Sequence, residues 1–174
     1  DVHFIGGSLR EAVDRGVARG YEEGYLRKSV VSDPLFARVN TKNNAPAILY
    51  TELTEGETVE ITVGAKGFGS ENMSVIAMLK PAQGIDGVKE TVLSAIRKAG
   101  PNACPPMVVG VGIGGTFDYA AVLAKKAVLR EARHNEDERY AQLEDELTQA
   151  ANALNIGPQG MGGKTTVFRI NIEH

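Results

Sequence analysis

Apolar residues recur at helical spacing in four stretches of the chain and at strand spacing in five others. Behind Ser8-Leu9-Arg10-Glu11, Leu9, Ala12, Val13, Val17 and Tyr21 fall on one face and predict a helix over roughly 8–27. In that opening the Ser8 hydroxyl can take a free N–H while Glu11 reaches back to the cap. Gly16, Gly20 and Gly24 repeat every four residues along this helix, each costing about 1 kcal/mol of propensity against Ala. They predict close approach of another backbone on that face. Val88, Val92, Leu93 and Ile96 predict a second helix, capped by Asp86 and stopped at Gly100-Pro101. Phe117, Ala120, Ala121, Ala124 and Val128 predict a third behind Thr116. Tyr140, Leu143, Leu147, Ala151 and Leu154 predict a fourth, behind Asn135 and Glu138.

The strand-like runs are 47–53, 58–63, 73–79, 106–113 and 165–172. In the second, Val59, Ile61 and Val63 alternate with Thr58, Glu60 and Thr62, so a half-buried hairpin strand is expected, joined to the first through Thr54-Glu55-Gly56-Glu57. The run 106–113 is apolar and β-branched, the pattern of a buried strand. Hairpins early and helices later predict an α+β fold, a mixed or antiparallel sheet packed with several helices, in one domain over 1–174.

Composition narrows the class. A chain of 174 residues, 43% of them hydrophobic, can bury a core without staples. Its net charge of −3 supplies no basic field for nucleic acid or an anionic membrane. One cysteine excludes a disulfide scaffold, and no apolar run approaches the ~20 residues that cross a bilayer. A cytoplasmic location is the expectation. The opening Asp1-Val2-His3-Phe4-Ile5 lacks a methionine and the chain closes on a strand-like alternation, so a piece of a longer polypeptide is expected.

Several groups are candidates for chemistry. Gly163-Lys164-Thr165 suggests a phosphate loop, but Pro158 stands where its first glycine belongs and a strand follows where a helix must open. That reading is rejected. Gly64-Ala65-Lys66-Gly67-Phe68-Gly69-Ser70-Glu71-Asn72 is either a wide hairpin loop or a backbone cradle for a carboxylate. Arg27-Lys28 sits at a predicted helix C-terminus, where cations oppose the dipole. Cys104, followed by Pro105-Pro106, is either a small buried hydrophobe or a ligand on a stiffened turn. His3, His134 and His174 are too scattered to pair with it, and no zinc ligand cluster is visible. Asp137, Glu138, Glu144 and Asp145 read as the solvated face of the fourth helix.

Five stretches, in order, resemble one family. They are Tyr25-Leu26-Arg27-Lys28-Ser29-Val30-Val31-Ser32-Asp33-Pro34-Leu35, Asn43-Asn44-Ala45-Pro46-Ala47 and Lys66-Gly67-Phe68-Gly69-Ser70-Glu71-Asn72. Asn102-Ala103-Cys104-Pro105-Pro106, continuing to Gly110-Val111-Gly112-Ile113-Gly114-Gly115-Thr116, is the fourth. Gly157-Pro158-Gln159-Gly160-Met161-Gly162-Gly163-Lys164-Thr165-Thr166 is the fifth. The set resembles the N-terminal domain, or alpha subunit, of the class I iron–sulfur hydro-lyases, fumarate hydratase and L-tartrate dehydratase. The resemblance implies a [4Fe–4S] cluster on three cysteine thiolates, with one iron left open as a Lewis acid. Cys104 matches the middle cysteine; the other two would lie upstream of Asp1 and downstream of His174. This piece alone is therefore expected to be without cluster and inactive. Arg27 matches an arginine that grips a substrate carboxylate, and Gly69 a glycine whose backbone meets the substrate. The resemblance puts the general base in a C-terminal domain or beta subunit, so no catalytic residue is assigned in this chain. It also implies self-association and a small dicarboxylate substrate.

Two classes of function stay open on the sequence. In the first, this is the cluster-bearing part of a fumarate hydratase interconverting fumarate and malate, with tartrate dehydratase the competing substrate. In the second, it is a cluster-free structural or assembly module in which Cys104 is core and the glycine loops are turns.

Overall fold

Behind Ser8, whose Oγ accepts the Glu11 amide at 3.3 Å, the chain enters α1 (Leu9–Glu23). The computed structural model describes residues 6–174, so His3 and the rest of 1–5 lie outside the described residues. Two compact units divide the chain, one ending at Glu60 and one beginning at Ile61.

In the first unit no residue of α1 is buried. Gly16 and Gly20 have nothing within 4 Å of an added Cβ, so the close backbone approach expected along that face is absent among the described residues. The helix stops at Gly24, earlier than the sequence predicts. Residue 47 is tied back to it: Ala47 N donates to Asp14 Oδ1 at 2.8 Å, and Arg10 Nη1 donates to the Ala47 carbonyl at 2.7 Å.

The second unit is built on β1 (Met107–Gly112) and β2 (Val167–Glu173), which pair in parallel with Val109 opposite Ile170 and Val111 opposite Ile172. Between them run α4 (Phe117–Leu129) and α5 (Glu138–Ala153), the crossover that two parallel neighbours require. Upstream lie α2 (Phe68–Glu71) and α3 (Gly84–Ala99). On one face of the pair, Ile170, Ile172 and Val167 pack with Leu143, Leu147 and Ala151 of α5 and with Val92 and Ile96 of α3. On the other face sits α4. A Cβ on Gly112 would lie 2.0 Å from the Ala120 carbonyl oxygen, and one on Gly110 would lie 2.2 Å from that of Ala124. Only glycine lets a helix backbone come this near a strand.

A polar stripe on α5 accepts the amides of β2. Asn152 Oδ1 takes Thr166 N and Val167 N at 2.8 and 2.9 Å, Thr148 Oγ1 takes Ile170 N at 3.1 Å, and Glu144 Oε1 takes Ile172 N at 2.7 Å. The three acceptors of this stripe, Glu144, Thr148 and Asn152, recur every four residues, on one helical face.

The mixed or antiparallel sheet expected from the sequence is therefore corrected to a two-stranded, all-parallel one. The runs 47–53, 58–63 and 73–79 form no strands. Val59, Ile61 and Val63 are 75–78% exposed, so the alternation there has no covering layer among the described residues. Alternation marks a segment able to be a half-buried strand, and a partner strand and a cover must still be supplied. Glu144 is likewise corrected: at 3% exposure it is among the most buried polar residues, not part of a wet face.

Candidate functional site

Cys104 closes the 3-10 turn Gly100–Ala103 and takes the left-handed conformation, φ 55° and ψ 58°. A non-glycine residue there is uncommon and costs on the order of 1 kcal/mol or more, so the surroundings must impose it. They do so from both sides. Its amide donates to the Pro101 carbonyl at 2.9 Å, and the next residue, Pro105, is fully buried at the head of β1. The Cys104 side chain itself is exposed. Of the two sequence readings, the small buried hydrophobe is thereby removed.

Two of the glycine-rich motifs meet this turn. Gln159 N donates to the Pro105 carbonyl at 2.8 Å from the turn Pro158–Gly160, and a Cβ on Gly160 would lie 2.5 Å from Pro101 Cβ. From the other motif, Gly69 in α2 has the Asn102 carbonyl oxygen 3.5 Å from its Cβ direction, an ordinary contact. Stretches 67–71 and 157–160, far apart in sequence, thus meet at the turn 101–105 that carries the exposed thiol.

The loop carrying Gly69 is not a wide hairpin loop, one of its two sequence readings, since neither flank is a strand. It is anchored by charge. Glu71 receives the Lys125 ammonium of α4 on Oε1, and Lys66 Nζ lies 3.0 Å from its buried Oε2. Lys66 also donates to Ser70 Oγ at 3.1 Å, and Ser70 Oγ to the Gly67 carbonyl at 3.0 Å. Burial pushes the Glu71 carboxyl up, but hydrogen bonds from Lys125 and Lys66 outweigh it and hold it below the ordinary 4.5. Lys125 went unnoticed in the sequence. It stands 54 residues from Glu71 on a helix read only for its alanines, and no local signal joins the two.

Arg27 belongs to the first unit. It does not cap a helix, because α1 ends at Glu23 and Tyr25 turns left-handed at φ 52°. Arg27 follows on a segment outside any helix or strand, exposed, with no ion pair to any described residue. That segment is pinned just beyond it: Asn44 Oδ1 accepts Ser29 N and Val30 N at 2.8 and 3.0 Å, and Asn40 Nδ2 donates to the Lys28 carbonyl at 3.0 Å. Asp33 closes the next turn by accepting the amides of Leu35, Phe36 and Ala37, which hold its carboxyl below the usual carboxylate range. Polar side chains thus fix the backbone around a free guanidinium.

The stretch 110–116 is not part of the Cys104 turn. It lies at the opposite end of β1, where Gly110 and Gly112 serve the packing of α4. Gly163-Lys164-Thr165 leads into β2, which agrees with rejecting a phosphate loop. His134 lies 3.0 Å from Asp145 on the exposed rim of α5, and His174 stacks on Tyr140 with centroids 4.0 Å apart.

Among the described residues no group of three His, Cys, Asp or Glu side chains could hold a metal ion. One exposed thiol on an imposed turn fits a single corner of an iron–sulfur cluster, and the sequence holds no second cysteine for another. Among the described residues, no helix is long and apolar enough to cross a membrane.

A family model described as fumarate hydratase (Fumerase) matches residues 1–174. Over 170 residues the chain is 45% identical to the "Putative L(+)-tartrate dehydratase subunit alpha" of Methanocaldococcus jannaschii, covering 94% of this chain and 59% of that protein. Over 173 residues it is 35% identical to the L(+)-tartrate dehydratase subunit alpha of Escherichia coli strain UTI89, and 34% identical to that of strain K12. These matches cover 96% of this chain and 56% of each relative, so the chain spans little more than half the length of these proteins.

Proposed function

The chain belongs to the fumarate hydratase (Fumerase) family, and from that membership we propose that it is part of the alpha subunit of a hydro-lyase acting on a four-carbon dicarboxylate. L(+)-tartrate is the first substrate of this reading, supported by relatives named for that reaction at 34–45% identity. Fumarate, hydrated to malate, is the second, supported by the description of the family model.

The observation that carries the reading is the convergence of two glycine-rich motifs on an exposed Cys104 held left-handed. A solvent-facing cysteine on a turn that disfavours it is poorly explained by packing and well explained by ligation. In this reading Cys104 supplies one of three thiolates to a [4Fe–4S] cluster, and the other two come from outside these 174 residues. When bound, the cluster supplies a Lewis-acidic iron to the substrate's carboxylate and hydroxyl. Arg27 offers a planar donor fork to a carboxylate, with its backbone fixed and its guanidinium unpaired. Gly69 offers main-chain contact beside the thiolate. The proton-transferring group, and the beta subunit or C-terminal domain that carries it, lie outside the chain.

The test uses the complete alpha polypeptide with its beta partner, reconstituted anaerobically with iron and sulfide, wild type beside Cys104→Ala. The expected result is broad visible absorbance in the wild type and its loss in the variant, followed by conversion of L(+)-tartrate to oxaloacetate. Malate formation from fumarate without tartrate turnover selects the second substrate. Equal colour in both proteins, or none in either, removes the cluster and leaves the structural module.

A further inference from the structure

α4 holds the glycine loop at two points one helical turn apart. Lys125 meets the Glu71 carboxylate, and four residues on, Leu129 meets the start of the loop, where a Cβ on Gly64 would lie 2.5 Å from its Cδ2. Positions i and i+4 share a helix face, so one stripe of α4 grips both ends of the segment between Gly64 and Glu71. Inside that segment, Lys66 binds both Ser70 Oγ and Glu71, and Ser70 closes on Gly67. Glu71 is therefore the hub: it joins Lys66 within the loop to Lys125 outside it. Its side chain is one-third exposed and its Oε2 atom is buried, so neither ammonium is a freely screened surface charge. The Gly69 backbone, which faces the Asn102 carbonyl next to Cys104, hangs from this arrangement.

We propose that Glu71 and Lys125 are positioning residues: their ion pair fixes the Gly67–Ser70 backbone against the Cys104 turn and so sets how tightly a dicarboxylate is held there. Neither residue touches the reacting atoms. Part of this rests on the substrate class proposed above, and the two measurements below separate the parts.

The first measurement is amide hydrogen exchange on this chain, wild type beside Lys125→Met and Glu71→Gln, both near-isosteric and charge-removing. Exchange of the amides of 71–74, which donate to the carbonyls of Gly67, Phe68, Ser70 and Glu71, is expected to quicken about tenfold, with the amides of β2 and α5 unchanged. Lys125→Arg is expected to restore slow exchange. The second is steady-state kinetics of the assembled enzyme with its beta partner on L(+)-tartrate and on fumarate. In both charge-removing variants KM is expected to rise about tenfold while kcat stays within about twofold, because a held-substrate contact is loosened and no reacting group is lost. Exchange unaltered at 71–74, or quickened equally across α5 and β2, overturns the positioning role whatever the enzyme does. Exchange quickened at 71–74 in an assembly that turns over neither dicarboxylate upholds the anchoring of the loop and overturns its link to substrate. A fall in kcat with KM unchanged also overturns that link.

Discussion

Gln159 N donates to the Pro105 carbonyl across 2.8 Å, so the loop before β2 is bonded to the peptide that follows Cys104. The two residues are 54 positions apart, and the bond is what turns two glycine-rich stretches into one site. Pro105 is buried and cannot donate, so its carbonyl is the single main-chain hydrogen-bonding group it brings to the interior, and Gln159 satisfies it.

Because the Cys104 side chain is exposed and its backbone is left-handed, it should contribute chemistry at little cost in contacts. Iodoacetamide is expected to alkylate the native chain as readily as an unfolded one. Cys104→Ala should change the unfolding free energy, read by urea titration, by no more than about 0.5 kcal/mol. Cys104→Gly should be about 1 kcal/mol more stable than Cys104→Ala, since glycine carries no penalty at φ 55°. A protected thiol, or an alanine variant that unfolds, would return Cys104 to the core.

Gly112 and Gly16 should respond in opposite directions. A methyl on Gly112 must displace the α4 backbone, 2.0 Å away, and Gly112→Ala is expected to cost about 3 kcal/mol in the unit beginning at Ile61. A methyl on Gly16 meets nothing within 4 Å on a helix, and Gly16→Ala should add about 1 kcal/mol to α1. Denaturant titration read by circular dichroism decides both, and equal effects would contradict the packing.

Glu144 joins α5, β2 and the α4–α5 link. It pairs with Arg130, accepts the Ile172 amide at 2.7 Å and takes the Asn135 amide at 3.1 Å on its other oxygen. Arg130, whose side chain is 11% exposed, donates in turn to the Ile172 carbonyl at 2.9 Å and to Glu173 at 3.0 Å. Glu144→Ala takes one of two carboxylate partners from a buried guanidinium and leaves two amides without their acceptor, and about 3 kcal/mol of stability is expected to go. Glu144→Gln keeps one acceptor and should lose less. A loss below about 1 kcal/mol for the alanine variant would show the network to be incidental.

Acid should unpick the N-terminus of α5. Asp137 accepts the Arg139 side chain, with Nε at 3.0 Å and Nη2 at 2.5 Å, and also the Arg139 amide at 2.9 Å. These bonds lower its pKa from 3.8 to about 2. A depressed folded value means that the carboxylate's contribution is whole above about pH 4 and is lost as pH falls toward 2. The stability difference between wild type and Asp137→Asn should therefore shrink across that window and vanish below it. A difference that stays constant with pH would show that the charge contributes nothing.

By itself the sequence determined the elements whose signals are local. Capping groups and a 3.6 period placed the four long helices within a few residues, because both act within one or two turns. The β-branched run at 106–113 placed a strand for the same reason, with β1 running Met107–Gly112, although its residues are half-buried or exposed where a buried strand was expected. Ordered motifs around Arg27, Gly69 and Cys104 marked the family. Tertiary structure decided what those elements met. Strand direction depends on which partner a strand finds, and β1 found β2 across two helices rather than a hairpin neighbour. Glu144 reads in the sequence as part of a solvated face, and only the packing of β2 shows it accepting a strand amide beside Thr148 and Asn152. Lys125 acquired a role only when packing brought it to Glu71, for an ion pair acts through space and leaves no period in the chain.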